Sequence, residues 1–459
     1  MIDLAPGHET FGQRLARHAA SLGRLAWPVV LSRAGILLMA MADVVMVGRY
    51  DTIALGHLAL GFAVFIPLFV SGIGAMVGIV SVTARAHGAG EADLPAIALR
   101  GLRWALVVGA LAAGAVWIAG GWLHLIGHEP DLAEGAGRVA RILAVGAFFQ
   151  VAFVAASFYL EATGRTKPGL VAMMVANVVN LALNWCLIYG NAGFPEWGAE
   201  GAALATTIAR LSMAIGLVWW LLSLPEFRAH RRRAVTLWGP GGWAAGTEMR
   251  RIGLAGGAAY FFETFAFAAL AQAAGLISPT ALAAYTILHN IEATVFMIAL
   301  GISVATAVRV GQSAGAGDIA EARFAAMTGL GAAMLLIGAI GLVVLAFAPQ
   351  VASIYSTDPS LIARATPLFA ILAVSMIFDA GQVVAGQSTR ALGDAWGTTL
   401  RFFIGFWLVM VPAALALAFL TPLAEAGLFI GTAIGCAAAL ALLLARLLRL
   451  LRDREAARA

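Results

Sequence analysis

Runs of about 20 consecutive apolar residues, long enough to cross the hydrocarbon of a bilayer as a helix, recur twelve times in this sequence. They lie at 25–47, 58–83, 98–123, 140–161, 168–190, 199–224, 252–277, 281–307, 325–348, 367–389, 398–420 and 427–449. A chain so patterned has few options, because backbone groups placed in lipid must find their partners within the segment itself. The expected fold is an all-α polytopic membrane protein of twelve transmembrane helices. With 61% hydrophobic and only 12% charged residues, a soluble globular fold is excluded.

An even number of spans puts both termini on one side. Counting Arg and Lys with that side as the cytoplasm gives 23 in inner segments, four in outer loops (Arg49, Arg138, Arg141, Arg364) and two inside spans (Arg33, Arg210). This bias orients the chain, and the expectation is a multi-pass membrane protein with both termini cytoplasmic. The net charge of +5 therefore reads as topology rather than nucleic-acid binding. Acidic residues among the first 24 and the length of the first apolar run argue against a cleavable signal.

The chain divides at its middle. Residues 1–24 form an amphipathic interfacial segment, 25–224 a first lobe, 225–251 a cytoplasmic loop, 252–449 a second lobe and 450–459 a basic cytoplasmic tail. Gly88-Ala89-Gly90-Glu91 after span 2 is echoed by Gly315-Ala316-Gly317-Asp318 after span 8, 227 positions later. At the same offset Arg24-Leu25 opens span 1 and Arg251-Ile252 opens span 7, and at an offset of 226 to 229 Thr163-Gly164-Arg165 matches Thr389-Arg390 through Gly393. The spans thus form two pseudo-symmetric six-helix lobes. Six being even, the repeats are parallel and related by an axis along the membrane normal.

Acids inside the spans point to function. Glu263, Glu292 and Asp379 fall at similar depth on three spans of the second lobe, and Asp43 lies towards the far end of the first span. Holding an ionised carboxylate there costs several kcal/mol, so convergent acids suit competition among a proton, Na+ and an organic cation, the working principle of an antiporter. The bland reading makes each acid a partner of a local Arg or a helix-to-helix hydrogen-bond donor. Asn177, Asn180 and Asn184 of span 5 and Thr206 of span 6 could supply neutral oxygens beside Asp43, or serve as packing glue. Asn290 and His289 flank Glu292, and Ser375 precedes Asp379 by about one turn. Na+ could be held at Glu263 and Asp379, or at Asp43, Asn180 and Asn184. Pro28 removes a backbone bond and permits a kink or hinge near the inner end. Arg33 lies nearly three turns from Asp43 and should not pair with it, Arg210 pairs with another acid or snorkels, and Glu161 reads as interfacial. Cys186 and Cys436 read as small core residues with no disulfide.

Phosphate-binding, metal-ligand and nucleophile motifs are lacking. No enzyme activity, cofactor, nucleic-acid partner or ATPase subunit is therefore expected, and a monomer in membrane lipid is.

Several motifs resemble the multidrug and toxic compound extrusion family, specifically its NorM-like bacterial branch. They are Leu25-Ala26-Trp27-Pro28 with Met41-Ala42-Asp43 through Gly48; Thr166-Lys167-Pro168 and Asn180 to Asn184-Trp185; Phe261-Phe262-Glu263; Val308-Arg309-Val310-Gly311; and Asp379 through Gln382 with Arg390 to Gly393-Asp394. The resemblance runs from residue 25 to about 449. It implies a twelve-helix exporter of lipophilic, often cationic small molecules in exchange for Na+ or H+, with Asp43 as the first-lobe acid, Asn180, Asn184 and Thr206 as its neighbours, and Glu263 and Asp379 as the second-lobe cation-binding pair. Ser375 stands where some Na+-linked relatives have Tyr, Asn184 replaces an Asp of some members, and Glu292 is an additional acid. Two rival functions are a flippase for an anionic lipid-linked precursor, which should need a cationic cleft, and a membrane enzyme or receptor, which lacks any catalytic constellation or soluble domain.

Overall fold

The computed structural model describes residues 10–123, 129–228 and 242–457. Parts of the interfacial segment, the 225–251 loop and the tail therefore lie outside the described residues. Among the described residues, twelve helices are long and apolar enough to cross a membrane.

The first half carries α1 (Phe11–Tyr50), α2 (Thr52–Gly74), α3 (Val77–Gly88), α4 (Leu94–Gly121), α5 (Pro130–Ala162), α6 (Lys167–Tyr189) and α7 (Gly198–Ser223). The second carries α8 (Thr247–Ile277), α9 (Pro279–Gly315), α10 (Ile319–Ala346), α11 (Ala348–Tyr355), α12 (Pro359–Ala365), α13 (Leu368–Ala391), α14 (Ala395–Phe403), α15 (Val411–Phe419) and α16 (Glu425–Ala456). Helices α2 and α3 together make one span, broken at Ala75 and Met76, and α14 and α15 make another through a π-helical stretch at Ile404–Met410.

Local chemistry sets these boundaries. Thr10 and Gln13 form a capping box at the start of α1. Asp51, Ser278 and Asp318 accept backbone N–H groups at the starts of α2, α9 and α10. The repeat is visible in the backbone too, since Gly90 (φ 71°) has its counterpart in Gly317 (φ 86°) and Gly164 (φ 79°) in Gly393 (φ 89°). Each closes a turn in the left-handed region that favours glycine.

One expectation is corrected here. From Phe11 onward the segment read as lying on the surface is part of the same unbroken helix as the first span, with Pro28 inside it. Its buried residues Leu22 and Ala26 belong to the second lobe's apolar core. Capping at Thr10 lets the helix start early, and the polar residues before Gly23 are used for contacts: Arg14 (2.8 Å), Arg17 (3.1 Å) and His18 (2.6 Å) all reach Glu321 on α10. Arg323, on the same turn, lies 3.9 Å from Glu455 of α16. The start of α1 and the end of α16 are therefore on one face.

On that face the lobes press together. Lipid tails are as apolar as the helices, so close approach of small residues rather than hydrophobic exclusion holds such bundles. A Cβ on Gly88 would sit 1.9 Å from the Gln312 carbonyl oxygen, and one on Gly315 would sit 2.0 Å from that of Arg85. Gln312 Nε2 donates to the Ala162 carbonyl at 2.8 Å, and Arg85 pairs with Glu248 at 2.6 Å. Gly88→Val is expected to cost about 1–3 kcal/mol through overpacking. A fluorescence melt of purified protein should show a lower midpoint, and an unchanged one would deny this contact.

Candidate functional site

Two buried polar clusters emerge, one per lobe. In the first, Asp43 of α1 is wholly buried. Its Oδ1 accepts from Asn180 Nδ2 at 3.0 Å and Asn184 Nδ2 at 2.7 Å, and its Oδ2 accepts from the Thr206 hydroxyl. Asn180 Nδ2 also reaches Thr206 Oγ1 at 2.9 Å, and Asn184 Nδ2 reaches Asn180 Oδ1 at 3.2 Å. Spacing by four residues puts both asparagines on one face of α6, and α7 brings Thr206. Asn184 Oδ1 is left buried without a partner. Asn177 does not join: its amide donates to the Met173 carbonyl of its own helix at 2.9 Å.

The second cluster holds three acids from three helices, Glu263 of α8, Glu292 of α9 and Asp379 of α13. Asp379 and Glu292 are buried and Glu263 half-buried, and all three lie close enough to act on one another electrostatically. Asp379 Oδ1 accepts from Gln382 Nε2 at 2.9 Å, with Cys436 Sγ at 3.9 Å. Glu292 Oε1 accepts from Ser375 Oγ at 3.5 Å, and His289 Nδ1 stands 3.7 Å from its Oε2. Gln382 Oε1, like Asn184 Oδ1, is buried and unpartnered. Trp407 Nε1 donates to the Phe262 carbonyl at 2.9 Å, fixing α8 beside the acid. Asn290 is corrected: it is exposed, donating to the Thr286 carbonyl one turn back, so it faces away from Glu292. Among the described residues, no group of three His, Cys, Asp or Glu side chains has metal-ligand geometry, and neither Glu263 nor Asp379 forms an ion pair.

The intramembrane cations sort differently from expectation. Glu161 is not interfacial but buried, accepting from Arg33 Nη2 at 3.2 Å and Ser157 Oγ at 2.7 Å. Arg33 thus leaves Asp43 unneutralised. Arg210 lies over Phe65 and Phe69 and acts on Asp43 without a direct ion pair. Arg390 escaped sequence reasoning. It falls one residue beyond the tenth apolar run, where a snorkelling arginine is the ordinary reading, yet it is fully buried. Its guanidinium lies 4.9 Å over Phe402, its nitrogens have no hydrogen-bond partner, and it acts on Glu263 and on Tyr260, whose hydroxyl accepts from Gln387 at 2.9 Å. Gln382 and Cys436 were also missed, since an amide or thiol in an apolar run gives no sign of which acid it will meet.

Twelve membrane-length helices in two related lobes, each lobe enclosing an ionisable cluster, define a polytopic membrane transporter. The MatE family model matches residues 28–186 and 257–416, and the chain belongs to that family. A protein of Caulobacter vibrioides called a probable multidrug resistance protein NorM is 37% identical over 95% of this chain and 92% of its own length. The multidrug resistance protein PmpM of Pseudomonas aeruginosa is 30% identical over 95% and 93%. Among solved structures, the eukaryotic MATE transporter AtDTX14 superposes with a TM-score of 0.86 at 19% identity, covering 96% of this chain and 99% of that one. A MATE protein in a bent conformation gives 0.84 at 22%, covering 98% and 100%.

Proposed function

We propose that this chain is a multidrug efflux antiporter exporting lipophilic, often cationic compounds in exchange for Na+ or H+ across the inner membrane, with both termini in the cytoplasm. The observation that carries this reading is the convergence of Glu263, Glu292 and Asp379 with no arginine among the described residues locked onto any of them. Three like charges in low dielectric cannot all remain ionised and unaccompanied, so the cluster takes up a proton, a small cation or a charged drug. Glu263 and Asp379 are the principal exchangers and Glu292, with Ser375, a third.

Asp43 works in the other lobe. Three donated hydrogen bonds serve its ionised form, and adding a proton turns an acceptor into a donor, which forces Thr206 or an asparagine to reorient. That event on α1 is felt on α6 and α7. The unpartnered oxygens of Asn184 and Gln382 stand ready as neutral ligands for a hard monovalent ion beside each acid. Outside ions filling these sites weaken drug binding and favour outward release, because the two occupants differ in affinity for the same carboxylates. The excess of acids over unpaired cations disfavours an anionic lipid-linked cargo.

Purified protein in liposomes, loaded with ethidium and given an inward Na+ gradient in one set and an inward proton gradient in another, tests this directly. One gradient should drive dye movement and a matching ionophore should abolish it. Dye moving under neither gradient would sink the antiport reading.

A further inference from the structure

At the face that carries the start of α1 and the end of α16, α14 and α16 bring three arginines together. Arg446 Nε pairs with Asp394 Oδ2 at 2.6 Å. Arg401 acts electrostatically on Arg446, Arg449 and Asp394, and Arg449 is exposed. Among the described residues neither Arg401 nor Arg449 forms an ion pair, so two of the three guanidinium groups have no carboxylate bound to them. Arg401 lies two turns into its span, yet its Nη1 donates to the Gly397 carbonyl at 2.6 Å, one turn back. Its side chain therefore runs towards the membrane boundary, as a snorkelling arginine does. On the same helix Trp396 is 49% exposed and Leu400 57% exposed, an apolar surface beside the charges.

We propose that Arg401, Arg446 and Arg449 form a site for the phosphate headgroup of an anionic phospholipid, with Trp396 and Leu400 against its acyl chains. Charge complementarity selects an anion, because two unbalanced guanidinium groups match phosphate oxygens and offer forked donors to them. The adjoining apolar surface selects a lipid over a soluble phosphate, since only an amphiphile engages both halves. Basic side chains between helices at the cytoplasmic boundary are where such headgroups lodge.

The test reconstitutes the full chain in nanodiscs of phosphatidylcholine with a minor fraction of phosphatidylglycerol, and counts the lipids retained by native mass spectrometry. Wild type should retain phosphatidylglycerol in preference to phosphatidylcholine. The double variant Arg401→Gln, Arg449→Gln should lose that preference by about tenfold or more. Arg100→Gln with Arg103→Gln, on α4, removes the same charge elsewhere and should leave the preference nearly intact. The proposal is overturned if the folded Arg401/Arg449 variant retains the anionic lipid as wild type does, or if the α4 variant loses as much, which would make the effect one of net charge. It is equally overturned if inorganic phosphate raises the melting midpoint as much as phosphatidylglycerol does.

Discussion

Asp379→Asn and Glu263→Gln, made separately, are each expected to abolish gradient-driven ethidium export while leaving expression, insertion and the melting profile near wild type. Both changes keep the side chain's size and a hydrogen-bonding group, so packing of α8 and α13 survives. The exchangeable charge is what disappears. Where two ligands are coupled through shared groups, the coupling is worth about 1–3 kcal/mol, roughly fivefold to 150-fold in affinity. Removing one acid of the set should erase an effect of that order, read as the loss of ion-driven dye displacement from purified protein. Wild-type export in both variants, at matched protein levels, would refute the role given to the second-lobe cluster.

Arg33→Gln is expected to destabilise the protein more than any of these acid substitutions. The Arg33–Glu161 pair is buried on both sides, with side-chain exposures of 4% and 3%. Removing one partner leaves the other charged and unpaired in low dielectric, at a cost of about 3–5 kcal/mol. Replacing both with methionine should recover much of that loss, because the desolvation penalty goes with the charges. A double-mutant cycle on the thermal midpoint measures it. Single variants as stable as wild type would mean that the pair contributes no net stability here.

Much of the architecture was legible in the residues because in a membrane length and hydropathy leave little freedom. The twelve apolar runs became twelve spanning helices, and the echo of Gly90 in Gly317 became a pair of left-handed turns. The sequence misled where position along a span stands in for direction around it. Asn177 and Asn180 are three residues apart, yet one bonds its own helix and the other Asp43. Asn290 is two residues from Glu292 and on another side of α9. Glu161, near the edge of an apolar run, reads as interfacial when it is buried, and Arg390, just past the edge of another, was not singled out at all though it is fully buried. Hydropathy averages over a window, and a single charge at its edge carries no record of the helix that will close over it.

Helix α1 joins Asp43, among first-lobe partners, to Arg14 and His18, which are bound to the second lobe at Glu321. Forty residues at 1.5 Å each make a rod of about 60 Å, and a tilt of roughly 5° swings its far end by about 5 Å. That is more than an ion pair tolerates. Such a lever converts a change in who shares Asp43's oxygens into the making or breaking of a clasp on the opposite half of the molecule, without a separate messenger between them.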